Sequence, residues 1–233
     1  MKVVILGDGL LGNELKSQTN WDHISRKSNG IDFSKEIEKY FELILKNGYD
    51  VVVNCIANTN TYGGTLQEHY SLNCDRVQDL VEFCNNNKIK LVHISTDYLY
   101  TNSKSYSKES DIVKPIVTLY GLTKNLGDYH VQLNSKDYLI VRTSFKPTPF
   151  SYDRAVQQVG NFDYVDVISK SIAELILKNA SGVFNVGTGK KTMLELARMT
   201  RSDVLEYEDS SNVNSMMPKD VSMNVEKMKE FLR

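Results

Sequence analysis

The chain has 233 residues, of which 41% are hydrophobic and 24% charged, and its formal net charge is −1. This size and composition suit an ordinary globular protein with one α/β domain and at most a small appendage. The balanced charge, without a block of like charges, argues against a nucleic-acid-binding or membrane-binding surface. No apolar run approaches the ~20 residues that span a bilayer, and residues 1–6 are too short for a signal peptide. We therefore expect a soluble, cytoplasmic protein.

The cysteines and histidines show no spacing typical of metal ligands. The three cysteines, Cys55, Cys74 and Cys84, are odd in number and form no CxxC pair. Such a pattern is typical of reduced, buried thiols in a cytosolic protein. The sequence therefore predicts no metal site.

Strand and helix patterns alternate along the chain. Short runs rich in β-branched residues, typical of strands buried on both faces, alternate with amphipathic helical patterns. Repeated β-α units of this kind predict a Rossmann-type doubly wound parallel sheet. The predicted strands are residues 3–6, 23–25, 50–55, 91–95, 138–142 and 182–186, and the predicted helices are residues 10–17, 36–47, 73–87, 118–134 and 165–178.

The alternation is interrupted after residue 145 by the proline-containing stretch 146–149. We expect residues 1–145 plus 165–186 to form a Rossmann domain. Residues 146–164 and 187–233 are expected to form a small C-terminal substrate-binding lobe, because open α/β sheets bind ligands at the carboxyl ends of their strands.

A glycine-rich turn directly follows the first predicted strand and opens the first helix. Gly7 permits a tight turn, Gly9 allows the backbone to approach a pyrophosphate, and Gly12 allows close packing of helix on strand. The helix N-terminus offers free N–H groups and a positive dipole end to phosphates. These three glycines, with Leu10 and Leu11 between them, therefore predict a dinucleotide site.

The end of the second predicted strand bears on the choice of cofactor. An acidic residue there binds a ribose 2′-hydroxyl, whereas arginine accommodates a 2′-phosphate. The sequence has Ser25, Arg26 and Lys27 at this point. We therefore expect the Rossmann domain to bind NADP(H) by preference, with NAD(H) as the alternative. The alternative interpretation is that Arg26 and Lys27 are solvated surface charges with no role in cofactor binding.

Tyr120 and Lys124 lie four residues apart at the start of a predicted helix, which places them on one face. A neighbouring cation favours the phenolate, so Lys124 is expected to lower the tyrosine pKa from its usual value near ~10. A tyrosine tuned in this way can pass a proton to a carbonyl oxygen. Thr96, at the end of another strand, can hold that carbonyl. We predict Thr96, Tyr120 and Lys124 as the catalytic residues, and we expect Tyr120 and Lys124 to bind the cofactor as well.

With these motifs in chain order, the sequence resembles the extended short-chain dehydrogenase/reductases, and most closely the dTDP-4-dehydrorhamnose reductases. The resemblance covers almost the whole chain. The matching segments are residues 7–12, 32–34, 53–57, 95–98, 120–124, 142–145, 182–187 and 220–224.

The resemblance implies a reductase that transfers hydride from NADPH to C4 of a 4-keto-6-deoxy sugar nucleotide. In the family pattern Tyr120 is the proton donor, Lys124 lowers its pKa and holds the nicotinamide ribose, and Thr96 binds the 4-keto oxygen. A nucleotide sugar is thus the expected partner, and a homodimer stays open. The resemblance also implies roles for eight further residues: Asp32 and Phe33 on the adenine side, Cys55, Ile56 and Ala57 beneath the cofactor, and Asp97, Tyr98 and Phe145 at the substrate.

Departures from the family pattern leave the substrate open. The glycine turn is one residue shorter than the usual GxxGxxG, Phe145 stands where tryptophan is common, and the chain is shorter than typical members after that residue. One alternative is an epimerase or dehydratase that retains its cofactor, although Tyr98 after Asp97 argues against dehydration. The other is a non-catalytic NADP-binding regulatory protein, resembling the regulatory subunit of methionine adenosyltransferase.

Overall fold

The structure, a computed structural model, describes residues 1–101, 103–111, 118–207 and 217–233. The strands of these residues are, in chain order, β1 (Val3–Leu6), β2 (Asp22–Ile24), β3 (Val51–Asn54), β4 (Lys90–Thr96), β5 (Tyr138–Thr143), β6 (Phe145–Lys146), β7 (Arg154–Ala155), β8 (Val159–Gly160), β9 (Asp163–Tyr164), β10 (Gly182–Asn185), β11 (Lys191–Thr192) and β12 (Leu205–Glu206).

The helices between these strands are mostly amphipathic, and within the described ranges no helix is long and apolar enough to cross a membrane. They are α1 (Leu10–Thr19), α2 (Arg26–Asn29), α3 (Ile37–Asn47), α4 (Leu66–Tyr70), α5 (Arg76–Asn87), α6 (Leu119–Asn134), α7 (Val165–Leu177), α8 (Met193–Arg198) and α9 (Glu226–Leu232), with a π-helical turn (Ser71–Asp75) between α4 and α5 and a 3₁₀ turn (Asp97–Tyr100) after β4.

Six strands form one parallel sheet in the order β10-β5-β4-β3-β1-β2. The order reverses beside β1, where β2 lies on one side and β3 on the other, as in a doubly wound sheet. The predicted Rossmann-type fold is thus confirmed. The six main strands and five long helices were predicted in place, with ends that differ by at most two residues, except that the helix predicted at 73–87 extends back through the π-helical turn to α4.

Each face of the sheet carries its own apolar layer, because successive strand residues point to opposite sides. Val3 and Ile5 of β1 pack in one layer with side chains from α1, α7 and α9. Val4 and Leu6 pack in the other layer with side chains from α3, α5 and α6. Burial on both faces explains why these strands are continuous apolar runs in the sequence.

A third apolar cluster lies apart from these two layers and includes Phe162, Tyr164 and Leu196. Its members lie between positions 150 and 204 of the chain. Of the residues predicted to form a substrate lobe, 208–216 lie outside the described residues. Met223 and Met228, which were also assigned to that lobe, pack in the layer with α7, and Met228 belongs to α9, which lies against α7 and β10. The division into two lobes stays a prediction.

Candidate active site

A cleft of about 560 Å³ lies at the carboxyl ends of the central strands. Its wall is built by the β1–α1 turn, the end of β4, the segments at the ends of β3 and β5, and the first turns of α6. It brings together many of the predicted site residues, which lie far apart in the sequence. Those lining it are Gly7, Gly9, Leu10, Leu11, Cys55, Ile56, Ala57, Thr96, Tyr120, Lys124 and Phe145.

The three glycines of the turn differ in what surrounds them. Gly7 has φ +99°, a conformation that side chains rarely adopt, and a Cβ there would lie 2.7 Å from Ile56 Cγ1. A Cβ on Gly12 would lie 2.0 Å from the carbonyl oxygen of Gly7, so only glycine allows α1 to pack this closely. A Cβ on Gly9 would have no neighbour within 4 Å. This space lies at the N-terminus of α1, where a phosphate can approach the backbone.

The residues at the end of β2 serve local structure and do not line the cleft in this structure. Ser25 is 1% exposed, and its hydroxyl caps α2 by accepting a hydrogen bond from the Ser28 N–H. The exposed guanidinium of Arg26 lies 3.9 Å from the Asp32 carboxylate. Phe33 is buried in the apolar layer beneath α3. Lys27 is exposed on α2. The cofactor roles predicted for these five residues stay predictions.

Tyr120 and Thr96 meet at the centre of the cleft. Tyr120 is the second residue of α6, and the side chain of Thr118 caps this helix by accepting from the Gly121 N–H. Thr96 ends β4, and its Oγ1 accepts a hydrogen bond from the Tyr98 N–H. A hydrogen bond joins the side chains of Tyr120 and Thr96. Two hydroxyls are therefore held together at the strand end, as a carbonyl-binding pair requires.

The prediction that Lys124 lowers the pKa of Tyr120 was wrong for the side-chain positions in this structure. Burial raises the pKa of Tyr120 to about 12, and the hydrogen bond from Thr96 opposes this only in part. The ammonium of Lys124 is directed elsewhere, since it donates to the Ile94 carbonyl oxygen at 2.6 Å. The phenol is thus protonated at neutral pH, and Lys124 does not lower its pKa here.

Lys124 lies in a buried polar network behind the cleft. Lys124 is 2% exposed, and its Nζ lies 3.4 Å from His93 Nε2. Burial lowers the pKa of Lys124 to about 8, while the Asp128 carboxylate opposes that shift. Burial and the nearby ammonium lower the pKa of His93 well below its usual value. His93 is therefore a neutral neighbour of the lysine in the core.

Asp128 anchors the site from one turn further along α6. Its carboxylate accepts two hydrogen bonds from the Arg142 guanidinium, at 2.9 and 3.0 Å, and one from the Ser95 hydroxyl at 2.9 Å. Arg142 and Asp128 are 2% and 0% exposed. This buried ion pair ties α6 to β4 and β5. Sequence analysis missed it, although Asp128 follows Lys124 by four residues and Arg142 interrupts an apolar strand, which implies a buried partner.

Asp97 and Tyr98, which were predicted to bind the substrate, lie beside the cleft without lining it. Asp97 is 1% exposed, and burial raises its pKa to about 7, against the nearby Lys146 ammonium. The Tyr98 hydroxyl is hydrogen-bonded to that of Tyr62 at 2.6 Å, and its ring contacts the Tyr120 ring edge-on. Sequence analysis did not single out Lys146 as a site residue, yet it lines the cleft.

A family model described as "RmlD substrate binding domain" matches residues 1–146, which carry the glycine turn, Thr96, Tyr120 and Lys124. The chain belongs to this family. The predicted resemblance to dTDP-4-dehydrorhamnose reductases is thus confirmed at the level of the family.

Relatives and solved structures agree with the RmlD assignment. A protein of Streptomyces niveus named dTDP-4-keto-6-deoxy-D-glucose reductase is 31% identical over 171 residues, or 64% of this chain. The match spans only 59% of that relative's length. In fold, the chain is similar to a hypothetical dTDP-4-dehydrorhamnose reductase of Sulfolobus tokodaii (TM-score 0.84, 24% identity, 99% and 94% of the two chains covered). It is also similar to the Bacillus anthracis dTDP-4-dehydrorhamnose reductase in complex with NADP (TM-score 0.82, 22% identity, 99% and 93% covered).

Proposed function

We propose that this chain is an NADPH-dependent reductase of a 4-keto-6-deoxy sugar nucleotide, acting in deoxysugar biosynthesis. The observation that carries the proposal is the single cleft that joins the Gly7–Gly9 turn to Thr96, Tyr120 and Lys124. A nucleotide-binding turn and a proton donor on one wall are what a carbonyl reductase requires. The relatives' names agree with this class of reaction.

The residues present fit a nicotinamide dinucleotide. The open space at Gly9 and the N-terminus of α1 suit a pyrophosphate, and Ile56 and Ala57 line the cleft beneath it. When bound, the reduced cofactor supplies the hydride for the carbonyl carbon. We propose NADP(H) over NAD(H), because the exposed Arg26 at the end of β2 can bind a 2′-phosphate. Asp32 and Phe33 are proposed on the adenine side.

In the proposed reaction, Thr96 and Tyr120 bind the 4-keto oxygen through their hydroxyls. Because burial keeps the Tyr120 phenol protonated, its proton is available to the oxygen as negative charge develops there. The ammonium of Lys124, one turn along α6, is proposed to hold the nicotinamide ribose. Asp97, Tyr98 and Phe145 are proposed to bind the sugar.

We propose a cytoplasmic enzyme whose partner is a nucleotide sugar, with a cofactor-binding domain and a small lobe built around the third apolar cluster at Phe162 and Leu196. Whether two copies associate is decided by light scattering.

Turnover tests the proposed function. The purified protein is incubated with NADPH and a panel of dTDP-, UDP- and GDP-linked 4-keto-6-deoxy sugars, with dTDP-glucose as the control without a ketone. We expect NADPH oxidation with dTDP-4-dehydrorhamnose and none with dTDP-glucose. Neither binding nor oxidation with any ketone would favour the regulatory alternative. Co-purification of a stoichiometric oxidised cofactor would favour the epimerase alternative.

A single methyl group at Gly9 is expected to impair cofactor binding without unfolding the protein. Gly9→Ala places a Cβ in free space within the structure but in the path of a phosphate approaching α1. We expect the NADPH Kd to rise about tenfold or more, equivalent to ~1.4 kcal/mol. Titration calorimetry measures it. Gly189→Ala, also without neighbours within 4 Å, is the matched control. Equal affinity in both variants contradicts the phosphate site.

Arg26 is expected to distinguish the two dinucleotides. Arg26→Ala removes the exposed guanidinium at the end of β2, and a charge-assisted hydrogen bond to a 2′-phosphate is lost with it. We expect the Kd of NADPH to rise about tenfold while that of NADH stays constant. The control is Arg154→Ala, an exposed arginine in β7. If the wild-type protein binds both cofactors equally well, the NADP(H) preference is wrong.

A further inference from the structure

Lys146 has a well-defined place in the wall of the cleft. It is the second residue of β6, which pairs in parallel with β9 in the register Lys146↔Tyr164. This pairing fixes the backbone just beyond the end of β5. The side chain lines the same cleft as Thr96 and Tyr120. A lysine held on a paired segment, and directed into a cleft, is placed to meet a ligand.

The ammonium of Lys146 has no acceptor within the described part of the chain. Lys124, the other lysine that lines the cleft, donates to the Ile94 carbonyl oxygen. Burial lowers the pKa of Lys146, and the nearby charge of the buried Asp97 carboxylate opposes that shift only in part. The two groups form no direct ion pair, and Asp97 Oδ2 itself lacks a hydrogen-bond partner among the described residues. An ammonium carries three donors, so the Lys146 side chain is free to donate to a ligand oxygen in the cleft.

Its position assigns Lys146 to the substrate end of the cleft. The turn at Gly7 follows β1, and β3 and β4 separate β1 from β5. At ~4.8 Å between neighbouring strands, the end of β5 lies about 14 Å from the end of β1. Thr143 of β5 is paired with Thr96, and the three residues from Thr143 to Lys146 span at most about 11 Å. Its ammonium is close enough to act on the carboxyl of Asp97, the residue that directly follows Thr96, so Lys146 lies at the Thr96 end of the cleft.

We propose that Lys146 is a substrate-binding residue whose ammonium donates a hydrogen bond to an acceptor oxygen of the nucleotide sugar. The proposal rests on the function proposed above and names a residue that recognises its substrate. Acceptor oxygens are present both on the diphosphate and on the sugar ring. Both kinds of oxygen accept a hydrogen bond from an ammonium, and binding of dTDP, which has the diphosphate but no sugar beyond it, distinguishes them.

The test compares Lys146→Met, which keeps the length of the side chain, with Lys146→Arg, which keeps the charge. Lys170→Met, on the exposed face of α7, is the matched control. The assays are steady-state reduction of dTDP-4-dehydrorhamnose, and calorimetric binding of NADPH and of dTDP. For Lys146→Met we expect KM for the sugar nucleotide to rise about tenfold to a hundredfold, the effect of one charge-assisted hydrogen bond. We expect kcat to stay within about threefold, NADPH affinity to stay constant, and Lys146→Arg to recover part of the loss.

The outcomes separate this proposal from the proposed function. Weaker binding of dTDP to Lys146→Met would place the acceptor oxygen on the diphosphate, and unchanged dTDP binding with a raised KM would place it on the sugar. Both support the proposal. The proposal is overturned if the wild-type enzyme reduces the sugar nucleotide and Lys146→Met has the same KM as wild type, or if Lys146→Met weakens NADPH binding instead. It is also overturned if the substitution moves only the acid limb of the pH profile of kcat, which is the effect expected of a lysine that acts on Asp97 alone. If wild-type protein neither binds nor reduces the sugar nucleotide, the proposed function fails with it.

Discussion

Replacing Tyr120 by phenylalanine is expected to lower kcat for nucleotide-sugar reduction by about 10²–10⁴-fold, the usual contribution of a positioned proton donor. The hydroxyl lost is the one joined to the Thr96 side chain in the cleft. Since burial keeps this phenol protonated, its removal deletes both the proton and a hydrogen bond to the developing alkoxide. The ring remains, so its edge-on contact with Tyr98 is retained.

The matched control for this prediction is Tyr129→Phe on the same helix. Tyr129 is 39% exposed and lies outside the cleft, so its loss should leave kcat within about twofold. Steady-state NADPH oxidation gives kcat, and calorimetry gives the NADPH Kd, which we expect to be the same in both variants. A Tyr120→Phe enzyme with near wild-type kcat would show that the proton comes from another group.

The second large effect is expected on stability. Arg142→Met removes one partner of the buried ion pair and leaves the Asp128 carboxylate without its guanidinium in a dry environment. Breaking a buried pair in this way lowers the free energy of unfolding by about 3–5 kcal/mol. Because Asp128 also accepts from Ser95 of β4, the loss should loosen the strand that carries Thr96. Urea unfolding followed by circular dichroism measures the change.

Arg201→Met provides the comparison for this stability prediction. Arg201 pairs with Asp153 and Asp203, whose side chains are 91% and 67% exposed. Exposed pairs contribute about 0–1 kcal/mol, so we expect this variant to unfold near the wild-type midpoint. Equal loss of stability in the two variants would contradict the role assigned to the buried pair.

The main sheet could be predicted because its strands are buried on both faces. Runs such as β1 and β3 are continuously apolar, and the glycine turn marks the start of α1. The helix segment α4 was missed since Thr65–Tyr70 has few apolar residues, although Thr65 and Glu68 form the capping box that begins it. The two-residue strands β6 and β9 could not be predicted, because a pair this short leaves no periodic pattern.

The candidate site was predictable where a motif specifies backbone or spacing. Tyr120 and Lys124 share a helix face by their spacing, and Gly7 and Gly12 are required by local packing. The direction of the lysine ammonium was not predictable, since it depends on the Ile94 carbonyl oxygen in a neighbouring strand. Lys146 was missed for the same reason: only tertiary pairing brings it into the cleft.

Isotope transfer tests the central claim most directly, namely that the glycine turn and the Tyr120–Thr96 pair serve one hydride-transfer site. The wild-type protein is incubated with dTDP-4-dehydrorhamnose and NADPH deuterated on each face of nicotinamide C4 in turn. We predict that, with one of the two cofactors, the product carries deuterium at the carbon that was the ketone. Tyr120→Phe should slow its formation by the factor given above. A product without deuterium from either cofactor, or substrate recovered unchanged beside unoxidised NADPH, would contradict the account.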